Sequence, residues 1–188
     1  MVSQNTLGAT MKILTVCVLL LAFLVGCTTM DTALSRRGVL EETKSKMDGQ
    51  RIVTMSPVLS KSGPTDIQAE FGLYWDDAKG ENALLLVEIG GAHNFDPEKP
   101  FEMKVDGKLF KLHPARSRDY GDIAHNKSSK NYVVHKSQIP KIANGKEAFY
   151  RIWLLKNRFS DGEVSYQYQD YQSFVPHSFR RFYAQVWK

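Results

Sequence analysis

Phe101 to Leu112 reads Phe-Glu-Met-Lys-Val-Asp-Gly-Lys-Leu-Phe-Lys-Leu, two alternating apolar and polar runs joined by Asp106-Gly107. A two-residue Asp-Gly connection takes a type I′ turn, whose twist matches that of paired strands. It predicts the register: Phe101 opposite Leu112, Met103 opposite Phe110, and Glu102 opposite Lys111. Apolar residues then meet on one face and opposite charges on the other, and a slip of one residue would exchange the faces. This stretch is committed to antiparallel sheet, and the rest of the chain must supply a cover for its apolar face.

Other segments carry the same period. Ile52-Val53-Thr54-Met55 is strand-like, and Pro57 predicts an edge strand or a strand end there. Ser60 to Asp66, with Gly63-Pro64, reads as a loop. Phe71, Leu73 and Trp75 alternate with Glu70, Gly72 and Tyr74, and Asp76 to Asn82 turns the chain into Ala83–Ile89. That run is apolar nearly throughout, which predicts a central strand covered on both faces and hairpinned to its predecessor. Tyr132 to His135 resumes strand character, Ser137 is placed to cap a short helix ending at Asn144-Gly145, and Ala148 to Leu155 is a strong strand. Ser160-Asp161-Gly162 reads as the turn leading into Val164–Tyr168. Phe179, Phe182, Tyr183, Val186 and Trp187 recur at helical spacing, so an amphipathic helix closes the chain, with a terminal strand as the alternative. The expected fold is α+β and predominantly antiparallel β, sandwich-like, with six to eight strands, a short insertion helix and a C-terminal amphipathic helix.

The amino terminus has a different character. From Ile13 to Val25 the chain is apolar, preceded by Lys12 and ending Leu24-Val25-Gly26-Cys27. That run is shorter than the ~20 helical residues a bilayer core requires, and it has the plan of a cleavable secretory signal. Met11 is an alternative start, since Met1 to Thr10 carries no charge. Leu24-Val25-Gly26-Cys27 resembles the lipobox of bacterial lipoproteins. The resemblance covers the leader alone, and it implies cleavage after Gly26 and a diacylglyceryl group on the thiol of Cys27. Thr28, where an inner-membrane retention signal would carry Asp, implies the inner face of the outer membrane, facing the periplasm. The expected organisation is signal peptide 1–26, lipidated tether 27–50 with room for a short helix through Ala33 to Met47, and one globular domain 51–188. The folded domain is similar to small envelope lipoproteins in its order of elements, without residues diagnostic of any one family.

Cysteine usage follows from the same reading. The only other cysteine, Cys17, leaves with the signal, so the mature chain has no thiol for catalysis, zinc binding or a disulfide-linked partner. The formal charge of +5 falls by one when Lys12 is removed. This mild excess suits an anionic envelope polymer or lipid better than nucleic acid.

No Gly-x-Ser-x-Gly, His-Glu-x-x-His or phosphate-loop motif is present. The long polar stretch His113–Asn131 supplies the candidate partner contact: Arg116, Arg118, Tyr120, Lys127 and Lys130. Asp76-Asp77 reads as turn chemistry rather than as a carboxylate pair. Trp153, Tyr166, Tyr168 and Tyr171 would serve a glycan if they stood exposed in a row. A periplasmic hydrolase would need His93, Asp96, His113 and His125 to converge from separate loops, and a metal site could draw on the first three. The favoured expectation is a non-enzymatic interaction or assembly module of the cell envelope with no cofactor beyond the covalent lipid on Cys27. Glycan or anionic-polymer binding is the alternative, and a hydrolase stands behind it.

Overall fold

A computed structural model describes residues 38–62, 67–115, 126–165, 167–168, 171–172 and 174–188. Gly26 and Cys27, with the rest of the leader, lie outside the described residues. The fold is the expected α+β class. Strands β1 (Leu40–Lys44), β2 (Arg51–Leu59), β4 (Ala69–Asp76), β5 (Asn82–Gly90) and β8 (Lys127–His135) form one antiparallel sheet, in the order β1-β2-β4-β5-β8. Strands β3 (Lys61–Ser62), β6 (Phe101–Val105), β7 (Lys108–Leu112), β9 (Ala148–Leu154) and β10 (Arg158–Ser165) form the second, in the order β3-β10-β9-β6-β7. A small ribbon pairs β11 (Gln167–Tyr168) with β12 (Tyr171–Gln172). Helices α1 (Ile139–Asn144) and α2 (Phe174–Trp187), with a 3-10 turn at Asp77–Lys79, complete the described elements.

The β6–β7 hairpin has the predicted register, with Phe101, Glu102 and Met103 opposite Leu112, Lys111 and Phe110. Asp106 and Gly107 take the positive φ values, 46° and 81°, that the turn requires. Inward-facing residues of the two sheets interlock. Phe71 of the first sheet meets Phe101 at 5.7 Å and Tyr150 at 5.2 Å between ring centroids, and Tyr132 meets Phe101 at 5.4 Å. Around them Leu85, Ile89, Met103 and Ile152 are fully buried, an apolar packing of the kind that supplies most of a domain's stability.

At Ser60 the chain leaves the first sheet and enters β3 of the second. The Ser60 hydroxyl donates to the Ala69 carbonyl at 2.7 Å and lies 3.0 Å from the buried Tyr150 hydroxyl. The ring of Tyr150 fills the space left by Gly162, where a Cβ would stand 2.3 Å from its Cζ and Oη.

Helix α2 packs on α1 and β2 and reaches β10. Val175, Phe179 and Phe182 are fully buried, and Tyr183, Val186 and Trp187 pack partly buried against the core. The Trp187 and Trp75 indole N–H groups both donate to the Gly80 carbonyl, at 3.2 and 2.9 Å, which ties the end of α2 to the β4–β5 turn. Arg180 donates to the Ala143 carbonyl at 2.6 Å, a cation at the C-terminus of α1 where the helix dipole favours one.

Several expectations are corrected. The tether does not run to Gln50, nor the optional helix to Met47, because Leu40–Lys44 is a strand paired with β2. Its hold is lateral: Arg51 makes two hydrogen bonds to Glu42, at 2.7 and 3.0 Å, and the Gln185 side chain donates to the same carboxylate. The hydrogen bond from Arg51 leads the effects that lower the Glu42 pKa to about 2. Pro57 does not mark an edge or an end. It sits inside β2, which is flanked by β1 and β4, at the register shift between Met55 and Val58. A bulge accommodates a residue that has no N–H to give.

Ala83–Ile89 is central, but only Ala83, Leu85, Val87 and Ile89 are buried, while Leu84 and Leu86 are half-buried on the outer face. Ser137 does not cap α1, whose N-cap residue is Gln138. The turn after β9 is Leu155–Asn157, with Lys156 and Asn157 at φ 62° and 57°. Ser160-Asp161-Gly162 lies within β10, because Gly162 serves Tyr150 rather than a turn.

Gly162→Ala is expected to cost about 1–3 kcal/mol through overpacking against Tyr150. Gly90→Ala, where nothing lies within 4 Å of the added carbon, should leave stability within about 0.5 kcal/mol of the parent or slightly raise it. Urea unfolding of the two variants compares them directly, and equal midpoints would contradict the packing assigned to Tyr150.

Candidate functional site

The outer face of the second sheet brings together residues that the hairpin register and the parity of Tyr150 direct outward. Phe101, Met103, Tyr150 and Ile152 face the core, so Glu102, Lys104, Phe149, Arg151 and Trp153 face away from it. Strand pairing then sets them in rows across the sheet. Asp161, Arg151, Glu102 and Lys111 are successive cross-strand neighbours on β10, β9, β6 and β7, and their charges alternate in sign. Glu163, Phe149, Lys104 and Leu109 form the next row, and Phe159 and Trp153 stand on the far side of the charged one.

The charged row is held by contact. Arg151 makes two hydrogen bonds to Asp161, at 2.8 and 2.7 Å, and these raise the guanidinium pKa above its ordinary value. Lys111 lies 3.8 Å from Glu102. Arg151 also stacks 4.2 Å from the centroid of Phe159, and Lys99 sits 4.1 Å from that of Trp153 while donating to the Asn157 side chain at 2.7 Å.

Between the rows lies a shallow depression of about 620 Å³, lined in part by Glu102, Lys104, Leu109, Phe149 and Arg151. Leu109, Phe149 and Phe159 are 52%, 44% and 52% exposed, so three large apolar side chains on one sheet face are turned to solvent. Single exposed apolar residues need no explanation, whereas a group on one surface with arginine among the rings has the composition of an interface.

The residues singled out from the sequence fall elsewhere or apart. Lys127 is on the outer face of the first sheet, 3.0 Å from Glu70 and 3.4 Å from Glu88. Lys130 is 3% exposed and donates to the Asp96 carbonyl at 3.1 Å. These two are therefore not members of one basic surface: they alternate with the pleat, and each is engaged. Arg116, Arg118, Tyr120 and His125 lie outside the described residues, as do Tyr166 and the side chains of Tyr168 and Tyr171.

His93, Asp96 and His113 serve local structure. The His93 N–H donates to Ser128 Oγ at 2.9 Å, Asp96 Oδ1 accepts from the N–H groups of Glu98 and Lys99, and the His113 carbonyl accepts from Val133 at 2.9 Å. Among the described residues, no three His, Cys, Asp or Glu side chains are grouped to hold a metal ion. Asp76 and Asp77 diverge as turn residues, the first toward Lys79 at 3.5 Å and the second accepting from the Arg51 N–H at 2.8 Å. Of the candidates among the described residues, Trp153 alone is on the face described above.

Phe149, Arg151 and Phe159 escape sequence reasoning because both alternating sets of β9 carry large side chains. Phe149, Arg151 and Trp153 compete with Tyr150, Ile152 and Leu154, so periodicity does not say which set faces out. The choice is made only in the folded strand pair, where Gly162 leaves room for Tyr150.

No protein-family model matches the chain, and comparison with curated proteins and with solved structures finds no match.

Because Arg151 and Asp161 pair at the surface, with side chains 38% and 42% exposed, Arg151→Ala should lower stability by about 1 kcal/mol or less. A loss above ~3 kcal/mol in urea unfolding would place Arg151 among the groups the fold itself requires.

Proposed function

We propose that this chain is a lipid-anchored lipoprotein of the bacterial cell envelope whose sandwich is a non-enzymatic docking module. It would be held at Cys27 on the periplasmic side of the outer membrane and engage a protein partner through the outer face of its second sheet. The observation that carries the docking reading is the exposure of Leu109, Phe149 and Phe159 around a charged row containing Arg151. Aromatic residues and arginine are the side chains enriched at the energetic centres of protein interfaces.

The anchor reading rests on Leu24-Val25-Gly26-Cys27, since two or three acyl chains, at ~0.8 kcal/mol per buried methylene, hold a protein where one does not. Sugar stacking is the weaker reading for this face. A pyranose platform needs open aromatic faces, and here Lys99 stands over Trp153 and Arg151 over Phe159, which leaves Phe149 as the one uncovered ring of this face among the described residues.

Two substitutions in the full-length chain test the parts separately. Cys27→Ala is expected to abolish palmitate incorporation and retain the leader, and undiminished labelling would overturn the anchor. A photoreactive benzoylphenylalanine replacing Phe149 is expected to yield a discrete protein adduct in intact cells, while the same probe at Met47, which is 96% exposed on another part of the domain, yields none. No adduct at position 149 would remove the docking reading.

A further inference from the structure

We infer that the partner of this face is a second copy of the same chain, packed face to face about a two-fold axis; this rests on the docking reading above. The charges in the row Asp161, Arg151, Glu102, Lys111 are ordered for such a pairing. Its signs run minus, plus, minus, plus, and read backward they run plus, minus, plus, minus. A two-fold axis lying parallel to the strands, between β9 and β6, reverses the row. It sets Arg151 against Glu102 of the second copy and Asp161 against Lys111 of the second copy, and each contact occurs twice. An isologous interface requires a surface that complements its own rotated image, and a row of four alternating charges meets that condition about this axis.

The neighbouring row matches in part, since the rotation sets Glu163 against Leu109 of the second copy at its ends and makes two favourable contacts at its centre. The same rotation brings Phe149 opposite Lys104 of the second copy, an ammonium to an open ring face. Packed sheets stand ~10 Å apart, a gap that arginine, lysine and glutamate side chains from both faces span. Leu109, Phe149 and Phe159, now turned to solvent, would then be covered. The axis that runs across the strands instead would set each charge of the row against its own copy, so the charge pattern selects one geometry of the two.

The test is a charge exchange between chains. Full-length protein extracted in detergent is sized by sedimentation with the lipid and detergent contribution subtracted. The parent chain is expected to be a dimer. Arg151→Glu and Glu102→Lys each create two like-charge contacts across the axis, and each alone should raise the dimer dissociation constant by about tenfold or more. Mixed in equal amounts, the two variants restore opposite signs at both contacts, and the mixture should dimerise as the parent does. A mere loss of fold cannot give that recovery, and circular dichroism of each variant checks it directly. Lys111→Glu mixed with Asp161→Lys repeats the test on the outer contacts if either inner variant fails to fold.

A monomeric parent, variants that dimerise like the parent, or a mixture without recovery would each overturn the second-copy inference. A monomeric parent whose position 149 still crosslinks to a different protein would leave the docking reading standing. Absence of any adduct would remove both.

Discussion

The ring of Tyr150 in the gap left by Gly162, with its hydroxyl beside Ser60, sets the geometry on which the rest of the structure depends. It lies where the chain passes from the first sheet to the second, and its ring also meets Phe71 and Phe101 in the layer between the sheets. Because successive strand residues alternate faces, burying Tyr150 decides that Phe149 and Arg151 point outward, and the pairing of β9 with β6 and β10 carries that decision to Glu102 and Asp161. Core packing and the pattern of the outer surface are thus one constraint seen from two sides.

Much of this was legible in the sequence where local rules suffice. Asp106-Gly107 determines its own hairpin, and the spacing of Phe179, Phe182, Tyr183, Val186 and Trp187 places the face that α2 lays on the core. What was not legible depends on partners distant in sequence. The strand Leu40–Lys44 has a single large apolar residue, and it is held by Arg51 and by Gln185 on the last helix. Gly162 looks like a turn until Tyr150 is known to occupy its space. Lys130 looks like a surface base until the Asp96 carbonyl is found to receive it within the fold. The candidate face belongs to the same class, since its rows exist only through strand pairing.

The proposed anchor and the proposed face complement each other physically. Confinement of a tethered domain to a membrane surface raises its effective concentration toward other molecules held there, so a modest interface suffices for association. The face on the second sheet has that character: charges satisfied within the chain, as between Arg151 and Asp161, beside apolar groups that are not covered. Closing such a face desolvates its rings while Arg151 and Asp161 stay paired with each other, which lowers the cost of burying these ionic groups at an interface.

The central claim is that this face is covered where the protein works. Hydroxyl-radical footprinting compares the full-length chain in intact envelopes with the same chain at high dilution in detergent. The account predicts that Leu109, Phe149 and Phe159 lose reactivity in the envelope while Met47 and Phe174, exposed elsewhere on the domain, react equally in both. Undiminished reactivity of Phe149 and Phe159 in the envelope would contradict it.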